Sequence, residues 1–72
     1  MEMKTQAYCA VYEADGERHL DPLKTGDTHQ MVMSMVARLG PVRPGMFREW
    51  VFMGDYVDVV PVDITLTERG RS

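Results

Sequence analysis

The stretch TGDTHQMVMSMVARLGP, residues 25–41, carries the clearest secondary-structure signal in the chain. Asp27 is a favourable N-cap, and Gln30 three residues later completes the pattern of a capping box. Apolar residues recur at helical spacing along one stripe, formed by Met31, Val32, Met35, Val36 and Leu39. Gly40 is a typical left-handed cap, and Pro41 prevents continuation. The stretch therefore predicts one amphipathic helix.

The residues before the helix predict two antiparallel strands. Residues 5–12 are rich in β-branched and aromatic side chains, and both of their alternating faces are moderately apolar, which favours an interior strand. Asp15-Gly16 predicts a tight hairpin turn, because glycine tolerates a positive φ. The return strand, residues 17–23, contains Pro22, which removes a backbone donor and favours an edge position.

The residues after the helix predict a second hairpin. Gly54-Asp55 fits the central positions of a type II′ turn, which pairs residues 47–53 with a strand that begins at Tyr56. In that register one apolar surface is formed by Trp50, Phe52, Val57 and Val59. We expect this surface to meet the helix stripe, and the core to be extended by Leu20, Leu23, Ile64 and Leu66.

The last strand changes its alternation near Pro61. Val57 and Val59 have one parity, whereas the other parity is shared by Val62, Ile64 and Leu66. A strict period of two cannot bury both sets on one face, so we expect a bulge or bend at Pro61. The strand would then pair with the third strand before Pro61 and with the first strand after it.

These signals together predict an α+β fold of order ββαββ, with one helix packed on a four-stranded, mainly antiparallel sheet. We expect a complete, single small domain over residues 1–72, with frayed termini at residues 1–4 and 68–72. Because a chain this short has a marginal core, an alternative architecture completes the sheet with a second chain at its exposed edge.

Composition and charge narrow the functional classes. The apolar runs are only a few residues long, which argues against a membrane span, and we expect no secretory leader. Eleven acidic against eight basic residues give a net charge of -3, which argues against a bulk nucleic-acid binder. Cys9, the single cysteine of the sequence, cannot form an intramolecular disulfide. We expect a cytoplasmic protein without a membrane partner.

Few residues have the spacing that catalysis or metal binding requires. Cys9 with His19 or His29 is the one conceivable nucleophile and base pair. Cys9, however, alternates with Ala7 and Val11 along a strand, as a buried hydrophobic residue does. Two histidines and one cysteine lack the clustered spacing of metal ligands. We therefore expect no enzymatic activity, no metal and no cofactor.

Binding is the function class that remains. Arginine, aromatic residues and methionine are enriched at protein interfaces, and the chain has seven methionines. A loop braced by Pro44-Gly45 leads into the predicted partner-binding residues, which are Arg43, Met46, Phe47, Arg48, Met53 and Tyr56. The alternative is that Met46 and Phe47 close the end of the core while the arginines are solvated.

The start of the helix gives one resemblance. The string Thr25-Gly26-Asp27-Thr28, which opens a helix after a strand pair, is similar to the partial-RNase-H-like domains of toxin-neutralising proteins of the HicB type. The Asp and the Pro-Gly turn that this family has before the helix are not clearly present here. No site residue is carried over from the resemblance.

We expect a non-enzymatic protein-binding module that inhibits or modulates a larger protein or protein complex. In size and composition the chain is analogous to accessory proteins of phages and other mobile elements, such as inhibitors of host defence. A homodimer is a second predicted assembly. The alternative function is a nucleic-acid-associated regulator or antitoxin subunit that acts as a dimer through Arg38, Arg43 and Arg48, although the negative net charge disfavours direct nucleic-acid binding. A third is a structural or assembly subunit.

Overall fold

A computed structural model describes residues 1–42, 45 and 47–70. These residues form one helix and five strands, in the order β1 (Glu2–Ala14), β2 (Glu17–Gly26), α1 (His29–Val36), β3 (Ala37–Leu39), β4 (Trp50–Phe52) and β5 (Tyr56–Thr67). All strand pairs are antiparallel, and they are divided between a larger sheet of order β2-β1-β5 and a smaller sheet of β3 and β4. The predicted α+β class, with one helix and antiparallel pairing, is confirmed. The strands do not form the predicted single four-stranded sheet.

β1 and β2 form the predicted first hairpin, and β1 is the central strand of the larger sheet. This central position agrees with the two apolar faces of β1. Asp15 and Gly16 both have positive φ, 53° and 76°, as a type I′ turn requires. β2 lies at an edge of the sheet. Its register against β1 shifts between Cys9 and Ala10, which leaves residues 22–24 unpaired with β1. Pro22 lies in this bulge, where its missing amide removes no ladder hydrogen bond.

Helix α1 is shorter than predicted and is capped by a different residue. Thr28 has extended backbone angles, and its Oγ1 accepts a hydrogen bond from the backbone N–H of Met31 at 3.1 Å. The predicted cap at Asp27 is therefore wrong by one residue. The helix ends at Val36, and Ala37 is already extended with φ at −144°. Gly40, predicted as the helix cap, consequently lies beyond β3.

The buried face of α1 is rotated relative to the predicted stripe. Its buried residues are Val32, Met33 and Val36, whereas Met31 and Met35 are 47% and 40% exposed. The predicted stripe belongs to a helix that continues to residue 39. A two-turn helix that changes into a strand at residue 37 instead centres its buried side on Val32 and Val36.

β3 follows the helix directly and pairs with β4. Ala37 is opposite Phe52 and Leu39 is opposite Trp50. The predicted hairpin between residues 47–53 and the last strand is therefore wrong. The local turn nonetheless forms, since Gly54 has a φ of 60° and the backbone N–H of Tyr56 donates to the carbonyl of Met53 at 3.3 Å. The turn residues at Gly54 therefore determine where the chain reverses, but they do not determine which strands pair.

β5 pairs with β1 along its length, from Glu2 opposite Thr67 to Tyr12 opposite Tyr56. Tyr8 pairs with Pro61 inside this ladder, so the predicted change of partner at Pro61 is wrong. The register shifts instead between Val11 and Tyr12, which leaves Val57 as the extra residue of a bulge. The predicted frayed segment, residues 1–4, lies within this pairing, and the Glu68 N–H donates to the Met1 carbonyl at 2.7 Å.

The core lies between α1 and one face of the larger sheet. Its buried members are Ala10, Val32, Met33, Val36, Ala37 and Val59, with Tyr8, Phe52 and Tyr56 packed against them. Several residues expected in the core are instead substantially exposed, namely Leu20, Leu23, Trp50, Val57 and Leu66. The two parity sets of β5 were expected on one face. They point to opposite faces, because Val59 faces the helix while Val62 and Ile64 face away from it.

Candidate functional site

The face of the larger sheet opposite α1 is apolar, and no described element packs on it. We call it the open face. Register and alternation assign it the apolar residues Met3, Ala7, Cys9 and Val11 of β1, Leu20 of β2, and Val60, Val62, Ile64 and Leu66 of β5. The same register adds Thr5 and Thr25, and at the end nearest the first hairpin turn the charged residues Arg18 and Asp58. None of these residues belongs to the core cluster.

The open face has a shielded middle row and an exposed rim. Ala7, Cys9 and Val11 on the central strand are only 3–6% exposed. Met3 and Leu66, at the far end of the sheet, are 55% and 50% exposed. The accessible part of the face is therefore aliphatic.

Ion pairs mark the two ends of the open face. At the turn end, Arg18 Nη2 lies 2.9 Å from Asp58 Oδ2. At the other end, the Met1 amino group lies 3.6 Å from Glu68 Oε2. Both pairs are solvent-exposed, so they add little stability. The open-face residues between them carry no charge.

The outer edge of β5 is modified where it could accept another strand. The hydrogen bond from Glu68 to Met1 fixes the alternation of the ladder, so the backbone groups of Val59 and Pro61 point outward. The Val59 N–H is already bonded to Asp58 Oδ1 at 2.8 Å, and Pro61 has no N–H. Two successive outward positions thus offer no amide donor to an added strand.

A second apolar surface surrounds the smaller sheet, and we call it the β3–β4 surface. Its members are Leu39 and Trp50 on one face of the smaller sheet, Val51 on the other face, and Val42 and Phe47 on the segments that flank the strands; their exposures run from 38% for Trp50 to 94% for Phe47. The base of the intervening loop is closed by a hydrogen bond of 2.9 Å from Gly40 N–H to the Glu49 carbonyl. Ala37 and Phe52 attach this sheet to the helix side of the core.

The predicted partner-binding residues are separated by the structure. Phe47 and Arg48 are exposed on the segment that enters β4. Met53 is 42% exposed before the turn, whereas Tyr56 is half-buried and its hydroxyl donates to Asp21 Oδ2 at 2.7 Å. The predicted hairpin register, in which Met53 and Tyr56 share a face with Phe47, is wrong, because β4 pairs with β3.

Two further members of that set, Arg43 and Met46, and the Pro44 of the predicted turn lie outside the described residues. The open face was missed altogether by the sequence reasoning. Its signal lies in the shared parity of Val62, Ile64 and Leu66, of which Ile64 and Leu66 are predicted core residues.

The titratable side chains lie on both sides of the larger sheet. Cys9 is on the open face, where its Sγ donates to the Asp21 carbonyl at 3.2 Å. Burial raises the pKa of the Cys9 thiol, while this backbone hydrogen bond opposes the shift. On the helix side, the His29 ring meets Tyr8 edge-on at 5.7 Å, and His19 stacks on Tyr12 at 5.3 Å. The sheet therefore separates Cys9 from both histidines.

The Tyr56 hydroxyl lies on the helix side as well. Its hydrogen bond to Asp21 is the largest cause of the raised pKa of Tyr56. Within residues 1–42, 45 and 47–70, no three His, Cys, Asp or Glu side chains form a group that could hold a metal ion. No helix in the described part of the chain has the length and hydropathy needed to cross a membrane.

Comparisons with protein-family models, curated proteins and solved structures gave no match. The similarity of residues 25–28 to toxin-neutralising proteins of the HicB type is thus not accompanied by a family match.

Proposed function

We propose that this chain is a non-enzymatic, cytoplasmic protein-binding module that inhibits or modulates a larger protein or protein complex. The observation that carries the proposal is the 94% exposure of Phe47 on the β3–β4 surface. Accessory proteins of phages and other mobile elements offer the functional analogy, which rests on size and composition.

Exposure of this aromatic ring is unfavourable in water. Full burial of a phenylalanine side chain is worth about 1.5–3 kcal/mol relative to exposure. Trp50 and Leu39 pair across the smaller sheet and are also partly exposed, at 38% and 45%. Large aromatic side chains are typical anchors of protein interfaces. Phe47 lies between Gly40 and Glu49, whose backbone groups are joined by a hydrogen bond. The β3–β4 surface therefore has the composition of a docking site.

The charges beside this surface favour a protein partner with acidic or polar groups at the contact. Arg48 follows Phe47 directly and is exposed, and Arg38 is exposed on β3 opposite Val51. Arginine is enriched at interfaces because its planar head forms several hydrogen bonds while its stem packs on apolar groups. The loop base closed between Gly40 and Glu49 limits the entropy that is lost on docking.

The test begins with capture of a stoichiometric partner from a lysate of the source cells, followed by calorimetry with the purified partner. We expect Phe47→Ser and Arg48→Glu each to weaken binding by about tenfold or more, which corresponds to 1.4 kcal/mol. Leu23→Ser is the matched control, because Leu23 is 86% exposed on the bulge of β2. Circular dichroism checks the fold of each variant.

Two results would contradict the proposal. Unchanged affinity in folded Phe47→Ser and Arg48→Glu variants excludes the β3–β4 surface as the site. Recovery that is lost on nuclease treatment favours the alternative function, a nucleic-acid-associated regulator that acts through Arg38, Arg43 and Arg48.

A further inference from the structure

We propose that the open face is the interface of a homodimer, in which two copies stack their larger sheets face to face. The dimer would have four layers, helix, sheet, sheet and helix, and would bury the apolar face that each chain leaves open. This inference does not depend on the proposed function, because the β3–β4 surface lies on the helix side of the sheet.

The first argument is the amount of surface that the chain exposes. A compact monomer of 8.2 kDa exposes about 4,500 Å². This chain exposes 6090 Å², an excess of about 1,500 Å² over that scaling. A standard interface takes about 800 Å² from each partner. This excess, which is summed over the whole chain and not over the open face alone, is larger than the area that one partner contributes to a standard interface.

The second argument is the shape of the fold. Its radius of gyration is 15.5 Å, whereas a compact chain of this length has about 11 Å. The fold is 55 Å long because one end of the larger sheet has only two strands. Residues 2–7 of β1 pair with residues 62–67 of β5, but β2 begins its pairing only at Tyr8. We call this two-stranded extension the arm.

The third argument is the polarity of the arm. A two-stranded ribbon is marginal on its own in water. Its helix-side residues are polar and exposed, namely Lys4, Gln6, Asp63 and Thr65. Its other side continues the open face with Met3, Ile64 and Leu66. A ribbon that is apolar on the side away from its own helix is suited to cover a second layer rather than its own core.

The chemistry of the open face favours a second copy as that layer. The face is aliphatic and uncharged between its terminal ion pairs, so it contains no charge with which to select a charged partner. An aliphatic sheet face is complementary to itself in the aligned packing of β-sandwiches, and a two-fold axis closes the assembly. Pairing through the β5 edge is disfavoured because its outward positions Val59 and Pro61 offer no donor.

The proposal is tested by sedimentation equilibrium of the full chain over the micromolar to submillimolar range. We expect a dimer, and we expect Ile64→Lys to weaken it by about a hundredfold or more, because a lysine would be buried without a partner. Thr65→Lys is the matched control on the opposite face and should keep the dimer. If Ile64→Lys does not fold, Leu66→Lys serves at a position that is already 50% exposed.

A second variant separates the face from the edge. The backbone N–H of Thr65 points outward from the ladder, so Thr65→Pro blocks an added strand while the pairing with β1 remains. We expect this variant to dimerise. Loss of the dimer in Thr65→Pro with retention in Ile64→Lys would overturn the proposal in favour of edge pairing.

Other outcomes also overturn it. A wild-type chain that is monomeric throughout the range excludes a second copy and leaves the open face to a different partner. Retention of the dimer in folded Ile64→Lys and Leu66→Lys excludes this face. Failure of the target-binding proposal is recognised separately, since Phe47→Ser should change affinity for the target without a change in mass.

Discussion

At the scale of single residues, Thr28 shows how a hydroxyl determines where the helix begins. Its Oγ1 lies 3.1 Å from the Met31 amide, one of the N-terminal donors that no helical carbonyl accepts. Asp27 precedes it and is exposed. The difference between the two residues is geometric, because a cap must reach the amide three residues ahead of it while its own backbone is extended.

We predict that Thr28→Ala lowers the free energy of unfolding by about 1 kcal/mol, the usual value of an N-cap hydrogen bond. Asp27→Ala is the control and should change stability by only a few tenths of a kcal/mol through the helix dipole. Urea denaturation at one fixed protein concentration measures both. Equal losses in the two variants would mean that Asp27 shares the cap.

At the scale of elements, α1 stabilises the sheet through a narrow contact of two turns. Met33 is 4% exposed in the core cluster, whereas Met35 on the same helix is 40% exposed. Of these two methionines, Met33 is therefore a core residue and Met35 a surface residue. Identity alone does not distinguish the two, because the rotation of a short helix depends on where it starts and stops.

This rotation gives a prediction with an internal control. Met33→Ala should destabilise the protein by about 2–5 kcal/mol, since it removes a buried side chain and leaves a cavity. Met35→Ala should have an effect of about 1 kcal/mol or less. Thermal and urea unfolding at matched concentration measure the difference. A larger loss for Met35→Ala would restore the helix stripe predicted from periodicity.

The elements differ in how far the sequence could predict them. Local signals sufficed for the first hairpin, where Asp15-Gly16 specifies the turn, and for the existence of α1. They did not suffice for β4 and β5, because the turn at Gly54 is compatible with several strand partners. β5 pairs with β1, which is distant in sequence, and that choice depends on packing of the assembled sheet rather than on any local pattern.

The sequence likewise pointed to part of the candidate surfaces and not to the rest. Exposure of Phe47 and Arg48 agrees with their assignment to a binding surface, which itself stays a prediction. The open face was not anticipated, because the apolar positions of β5 were expected to share one core. An eight-residue helix covers only one face of a three-stranded sheet, so the opposite face stays uncovered.

At the scale of the whole molecule, the arm should depend on the assembly more than the centre does. We predict that arm amides such as those of Thr5 and Val62 exchange slowly with solvent deuterium in the wild type. In the Ile64→Lys variant their exchange should accelerate by about tenfold or more, while that of Ala10 in the core changes little, because opening is local. Equal protection of arm and centre in a monomeric variant would show that the ribbon is stable by itself.

Val59 and Pro61 are the outward positions of β5 that offer no amide donor, and this has a consequence for aggregation. Fibrils grow when a free strand edge templates the backbone of the next molecule, and a long strand rich in valine is a strong template. The Asp58 carboxylate on the Val59 amide and the ring of Pro61 interrupt that template at its most apolar part. We therefore expect Asp58 and Pro61 to act as gatekeepers against amyloid growth, so that Pro61→Val should shorten the lag time of fibril formation measured by thioflavin fluorescence.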